Sequence, residues 1–67
     1  MVNKMKKYKI HIAAFPDIIN HEPAYIPDSF YDKWHTAWKT VTGSWMIDKD
    51  YYSWYIPDYI IDEIKEE

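Results

Sequence analysis

Asp28-Ser29-Phe30-Tyr31-Asp32-Lys33-Trp34-His35-Thr36-Ala37-Trp38-Lys39-Thr40-Val41-Thr42-Gly43 is the stretch on which the fold turns. Phe30, Trp34, Trp38 and Val41 recur at intervals of four, four and three, the spacing of one apolar stripe on an amphipathic helix. Asp28 suits the N-cap, and Gly43 suits the left-handed position that follows a last turn. The spacing therefore predicts a helix over 28–43, with Phe30, Trp34 and Trp38 as core and Ala37 beside them. Tyr31, His35 and Thr42 fall off the stripe and are candidates for contact.

The flanking segments read as strands and loops. Residues 7–15 alternate, with Tyr8, Ile10, Ile12 and Ala14 on one side and Lys7, Lys9 and His11 on the other. That is the period of a half-buried strand, which Pro16 ends. Residues 16–27 hold Pro16, Pro23 and Pro27 and read as a long loop, a feature often tied to function in small domains. Residues 44–47 and 51–56 read as two strands about an Asp48-Lys49-Asp50 turn. Tyr52, Trp54 and Ile56 share one face, while Tyr51, Ser53 and Tyr55 share the other. Pro57-Asp58 is read as opening a short terminal helix with Ile60, Ile61 and Ile64 as its stripe.

The expected fold class is thus α+β over a single domain, 1–67. A small three-stranded sheet packs with one main helix in β-α-β-β-α order, and a short C-terminal helix closes the chain. Whether the first strand runs parallel or antiparallel to the others stays open. Tyr25-Ile26-Pro27-Asp28 recurs as Tyr55-Ile56-Pro57-Asp58, which reads as one local device used twice rather than as a duplication.

Composition narrows the function classes. Thirteen of the 67 residues are aromatic, four Trp, seven Tyr and two Phe, more than so small a core can hide. There is no cysteine, so disulfides and thiolate metal sites are excluded. His11, His21, Glu22 and His35 lack metal-ligand spacing, and Asp48 with Asp50 lacks the other ligands of a calcium loop, so no metal and no cofactor are expected. Ser29, Ser44 and Ser53 sit in no nucleophile motif, and no glycine-rich phosphate loop exists; no catalytic residue is assigned. Lys4, Lys6, Lys7 and Lys9 crowd the start and Asp58, Asp62, Glu63, Glu66 and Glu67 the end, within a net charge of −3. A negative chain without arginine makes nucleic acid a disfavoured partner. No apolar run is long enough for a membrane span, and no signal peptide is evident, so a cytoplasmic location is expected.

Surplus aromatics usually become contact surface. The expected function is a non-enzymatic protein-binding module anchored by Tyr51, Trp54 and Tyr55, with Tyr31, His35 or the 17–26 loop at the edge. Ten Ile, eight Lys and no Leu or Arg suggest a low-GC genome, hence a phage- or virus-type inhibitor of a host protein in the host cytoplasm. Competing expectations are a homodimer through the same patch, and a small-ligand or single-strand nucleic-acid binder using the hairpin aromatics.

Overall fold

Tyr8–Ile12 forms strand β1, shorter than the expected 7–15, and within it the alternation acts as expected: Ile10 and Ile12 are fully buried, and Lys9 and His11 lie on the opposite face. The structure, a computed structural model, describes residues 6–67. Lys4 of the basic start lies outside the described residues. Around β1 stand four further strands: β2 (Lys33–Lys39), β3 (Trp45–Lys49), β4 (Tyr52–Ile56) and β5 (Ile61–Glu66). They form one five-stranded antiparallel sheet in the order β4-β3-β2-β1-β5. β1 to β4 follow one another as a meander, and β5 returns to pair with the far side of β1.

The α+β expectation is therefore corrected to all-β. Both expected helices are replaced by the same device, a single 3-10 turn followed by a strand. Asp28–Phe30 is such a turn and leads to β2; Asp58–Ile60 is its counterpart and leads to β5. In each, the amide three residues after the proline donates back to the proline carbonyl, Phe30 to Pro27 at 3.0 Å and Ile60 to Pro57 at 3.2 Å. Each turn delivers its third residue into the core: Phe30 and Ile60 are both buried. The repeated Tyr-Ile-Pro-Asp segment thus has a structural meaning, but Pro27 holds the cap position, without a side-chain bond, and Asp28 is the first residue of the turn rather than a helix N-cap. Asp32, in the left-handed region at φ 58, breaks the path between the first turn and β2.

Side-chain chemistry explains why 33–39 extends. Trp34, Thr36 and Trp38 are stiff or bulky residues that suit a pleated surface. As a strand, the segment turns His35 and Ala37 inward, where they oppose Ile10 and Tyr8. Trp34 and Trp38 then go to the outer face, and Val41 is fully exposed in the β2–β3 turn rather than sharing a stripe. Gly43, at φ 87, serves that turn and not a helix end. Each side of β2 gains a backbone ladder, to β1 and to β3.

The β3–β4 hairpin turns later than expected. Asp50 and Tyr51 have φ of 55 and 69, the paired left-handed residues of a two-residue type I′ loop. Tyr51 is consequently a tip residue, whereas Trp54 and Ile56 face inward opposite Ile47 and Trp45. The core consists of Ile10, Ile12, Phe30, Ala37, Trp45, Ile47, Ile56 and Ile60, with no buried polar side chain among them. Tyr8 meets Trp45 edge-on at 4.9 Å, joining β1 to β3 across β2.

The basic start and acidic end meet as neighbours. Lys6 Nζ lies 2.9 Å from Glu66, and the Glu67 amide donates to the Lys7 carbonyl. Lys9 and Lys65 are cross-strand partners of like charge, and Lys65 is directed over the Trp34 ring at 4.8 Å. At a register shift in β5, Asp62 swings to bond His11 Nδ1 at 2.7 Å, while Asp32 lies 3.5 Å from Nε2. His11 thereby links β1 to the start of β2 and to β5.

The fold separates two residues that the helix reading would bury together. Phe30→Ala is expected to cost about 3–5 kcal/mol, the range for a buried aromatic, whereas Val41→Asp should change stability by less than about 0.5 kcal/mol. Urea unfolding of the two variants measures this directly; comparable losses at both positions would contradict the strand assignment.

Candidate functional site: a tyrosine cleft beside an apolar loop

Between β1 and the first 3-10 turn runs a loop of residues 13–27 whose apolar side chains are largely outside the core. Phe15 is 96 % exposed, Ile19 90 % and Tyr25 84 %. The loop is pinned rather than loose. The Tyr59 hydroxyl donates to the Glu22 carbonyl, and the His21 ring stacks on Tyr59 at 4.1 Å with planes 10° apart. Asp17 accepts from the Ile19 amide, turning the chain locally. Ala24 and Ile26 pack on the core and anchor the return leg.

Two shallow hollows share the Pro23–Ala24 wall of this loop. One, of about 320 Å³, lies among Tyr25, Tyr55, Pro57 and Tyr59. The other, of about 330 Å³, lies among Phe15, Pro16, Ile18 and Tyr31. β4 supplies Tyr55 from its outer face, and the second 3-10 turn supplies Tyr59. The phenol of Tyr59 is held above its usual 10.0, first by desolvation, then by Glu22, Tyr55, Tyr31 and Tyr25. Tyr25, Tyr55 and Tyr59 line one hollow and Tyr31 the adjoining one, each rigid, amphipathic and carrying a hydroxyl at its tip.

The sequence-derived site residues divide. Tyr55 lines the tyrosine cleft, exposed, and Tyr31 lines the adjoining hollow, half-buried against the core. Tyr51 stands alone at the β3–β4 tip, beside a separate hollow lined by residues 48–53. Trp54 is an inward packing residue: it meets Phe30 edge-on at 5.8 Å, and its indole N–H donates to the Lys49 carbonyl. His35 also serves packing, its Nε2 lying 2.9 Å from the Phe30 carbonyl and its ring 4.8 Å from that of Phe30. Ile19 and Tyr25 belong to the 17–26 loop that sequence reading set at the edge of the patch, without being named. Phe15 and Tyr59 were missed: Phe15 was read as the end of the first strand, and Tyr59 was hidden inside an expected helix.

Among the described residues, no group of three or more His, Cys, Asp or Glu side chains could hold a metal ion, and no helix is long and apolar enough to cross a membrane. Ser53 donates to Asp48 at 2.6 Å near the hairpin tip, with no histidine as third member. No protein-family model matches the chain, and no curated protein or solved structure is significantly similar to it.

The phenol cluster has a spectroscopic consequence. A raised pKa means that the neutral phenol of Tyr59 is favoured in the fold; this contribution is fully present below pH 10.0 and is lost as pH rises past it. In an ultraviolet titration, Tyr59→Phe should remove a phenolate that forms above pH 10.0. Loss of one that forms below it would contradict the arrangement.

Proposed function

We infer that the chain is a non-enzymatic protein-binding module that holds an apolar segment of another protein against the 13–27 loop and the adjoining tyrosine cleft. The observation that carries this reading is the set of side chains left outside: Phe15, Ile19 and Tyr25 are nearly fully exposed on one loop. Burying them against a partner would regain the apolar transfer energy that the isolated chain forgoes. The loop is held by Tyr59, so less ordering entropy opposes association. Tyrosine hydroxyls around the cleft would satisfy backbone groups of an incoming segment.

The anchors assigned here are Phe15, Tyr25, Tyr55 and Tyr59, with Tyr31 on the wall. This revises the hairpin-centred set while keeping Tyr31 and Tyr55. Occlusion of a host protein surface in a cytoplasmic compartment, as for a phage- or virus-type inhibitor, is the biological form of the proposal that composition supports.

Phe15→Ala and Tyr25→Ala each alter a solvent-facing side chain and should leave the melting temperature nearly unchanged. Each is expected to weaken partner binding by about 2 kcal/mol, roughly 30-fold. Tyr51→Ala, at the hairpin tip, should have no such effect. Affinity capture with the three variants, followed by titration of the captured protein, measures this. Full affinity in both loop variants, or loss confined to Tyr51→Ala, would refute the site.

A further inference from the structure

The two edges of the sheet are built differently. The β5 edge carries Asp62, Glu63, Lys65 and Glu66, a charged border that rejects another strand. The β4 edge, Tyr52-Ser53-Trp54-Tyr55-Ile56, has no charge and no proline within it. Among the described residues, its pairing is with β3 alone. An uncharged edge of aromatic residues is a template for strand addition.

The hairpin geometry says which groups are offered. In a two-residue loop the flanking residues, Lys49 and Tyr52, form a hydrogen-bonded pair, and the pattern then alternates along the ladder. Tyr52, Trp54 and Ile56 therefore direct their amides and carbonyls toward β3. Ser53 and Tyr55 direct theirs away, giving two donors and two acceptors on the open side. An antiparallel copy centred on Trp54 places Ser53 opposite Tyr55 of the other chain, and the reverse. That register uses all four groups; registers centred on Ser53 or Tyr55 use fewer.

We propose that β4 is a self-association edge, joining two copies of this chain by antiparallel β4–β4 pairing about a twofold axis at Trp54. The second copy is the occupant because residues 52–56 are self-complementary in this register and carry no charge of their own to repel their image. The Asp62, Glu63 and Glu66 border on β5 stops further growth, so pairing closes at two rather than running into a filament. On the outer face, Ser53 is small enough to lie opposite Tyr55 of the second chain. This edge shares Tyr55 with the tyrosine cleft but takes nothing from the 13–27 loop, and the proposal does not depend on the protein-binding reading.

Sedimentation velocity across about 5 µM to 0.5 mM tests it. Wild type should pass from monomer to dimer over that range. Ser53→Ala keeps the outward amide and should dimerise like wild type. Ser53→Pro removes that amide, which no intrachain bond uses, and should weaken the dimer at least tenfold with an unchanged far-ultraviolet spectrum. If Ser53→Pro does not fold, Ser53→Lys, which puts a charge on the same edge, should give the same tenfold loss. A wild-type chain that stays monomeric throughout, or a folded proline or lysine variant that dimerises like wild type, would overturn the proposal.

Discussion

The structure depends on β2 being paired on both sides. Without β2, β1 keeps β5 and β3 keeps β4, but the two halves lose their common strand. Its position follows from a local event, the 3-10 turn at Asp28–Phe30, which stops the chain from continuing as a helix and drops Phe30 into the core. Asp32, in the left-handed region, then redirects the backbone so that His35 and Ala37 meet Ile10 and Tyr8. The Asp32 amide donates to the Ile12 carbonyl at 2.8 Å, locking the entrance of β2 to the end of β1.

The same device, used again at Pro57, places the site. Ile60 enters the core, and β5 begins with its register fixed against β1. Tyr59, one residue earlier, is held at the surface beside Tyr55 and reaches across to Glu22. The long loop is thus fastened by a residue whose position comes from core packing. A rigid base with a fastened apolar loop is a suitable way to present hydrophobic side chains without collapsing them inward.

Much of the strand content was legible in the residues. Tyr8, Ile10 and Ile12 alternate, and so do Tyr52, Trp54 and Ile56; all but Tyr52, which is exposed beside the hairpin tip, are in the core or packed on it. The helix over 28–43 failed for a physical reason. Phe30, Trp34 and Trp38 satisfy a helical period, but the aromatic pair at 34 and 38 also satisfies a strand period with Thr36 between them. Local propensity favours the strand, through Trp34, Thr36, Trp38 and Thr40, and tertiary pairing with β1 and β3 decides it. Ile60, Ile61 and Ile64 misled in the same way: Ile60 closes a turn, while Ile61 and Ile64 oppose Ile12 and Ile10 across β5. Tyr51 at a left-handed hairpin position lacks the Asn-Gly signature that would have marked the loop. Of the site, Tyr31 and Tyr55 could be found as surplus aromatics. Tyr59 could not, because its role comes from a contact with Glu22 that sequence spacing does not encode.

The most direct test of this account is the pattern of proton contacts along residues 30–41 in the isotopically labelled protein, read by nuclear Overhauser spectroscopy. Pairing of β2 requires cross-strand contacts from His35 to Ile10 and from Trp38 to Met46, with slow amide exchange in Lys33–Lys39. A continuous run of contacts between residues three and four apart from Phe30 to Val41, without those cross-strand contacts, would restore the helix and contradict the fold on which the site rests.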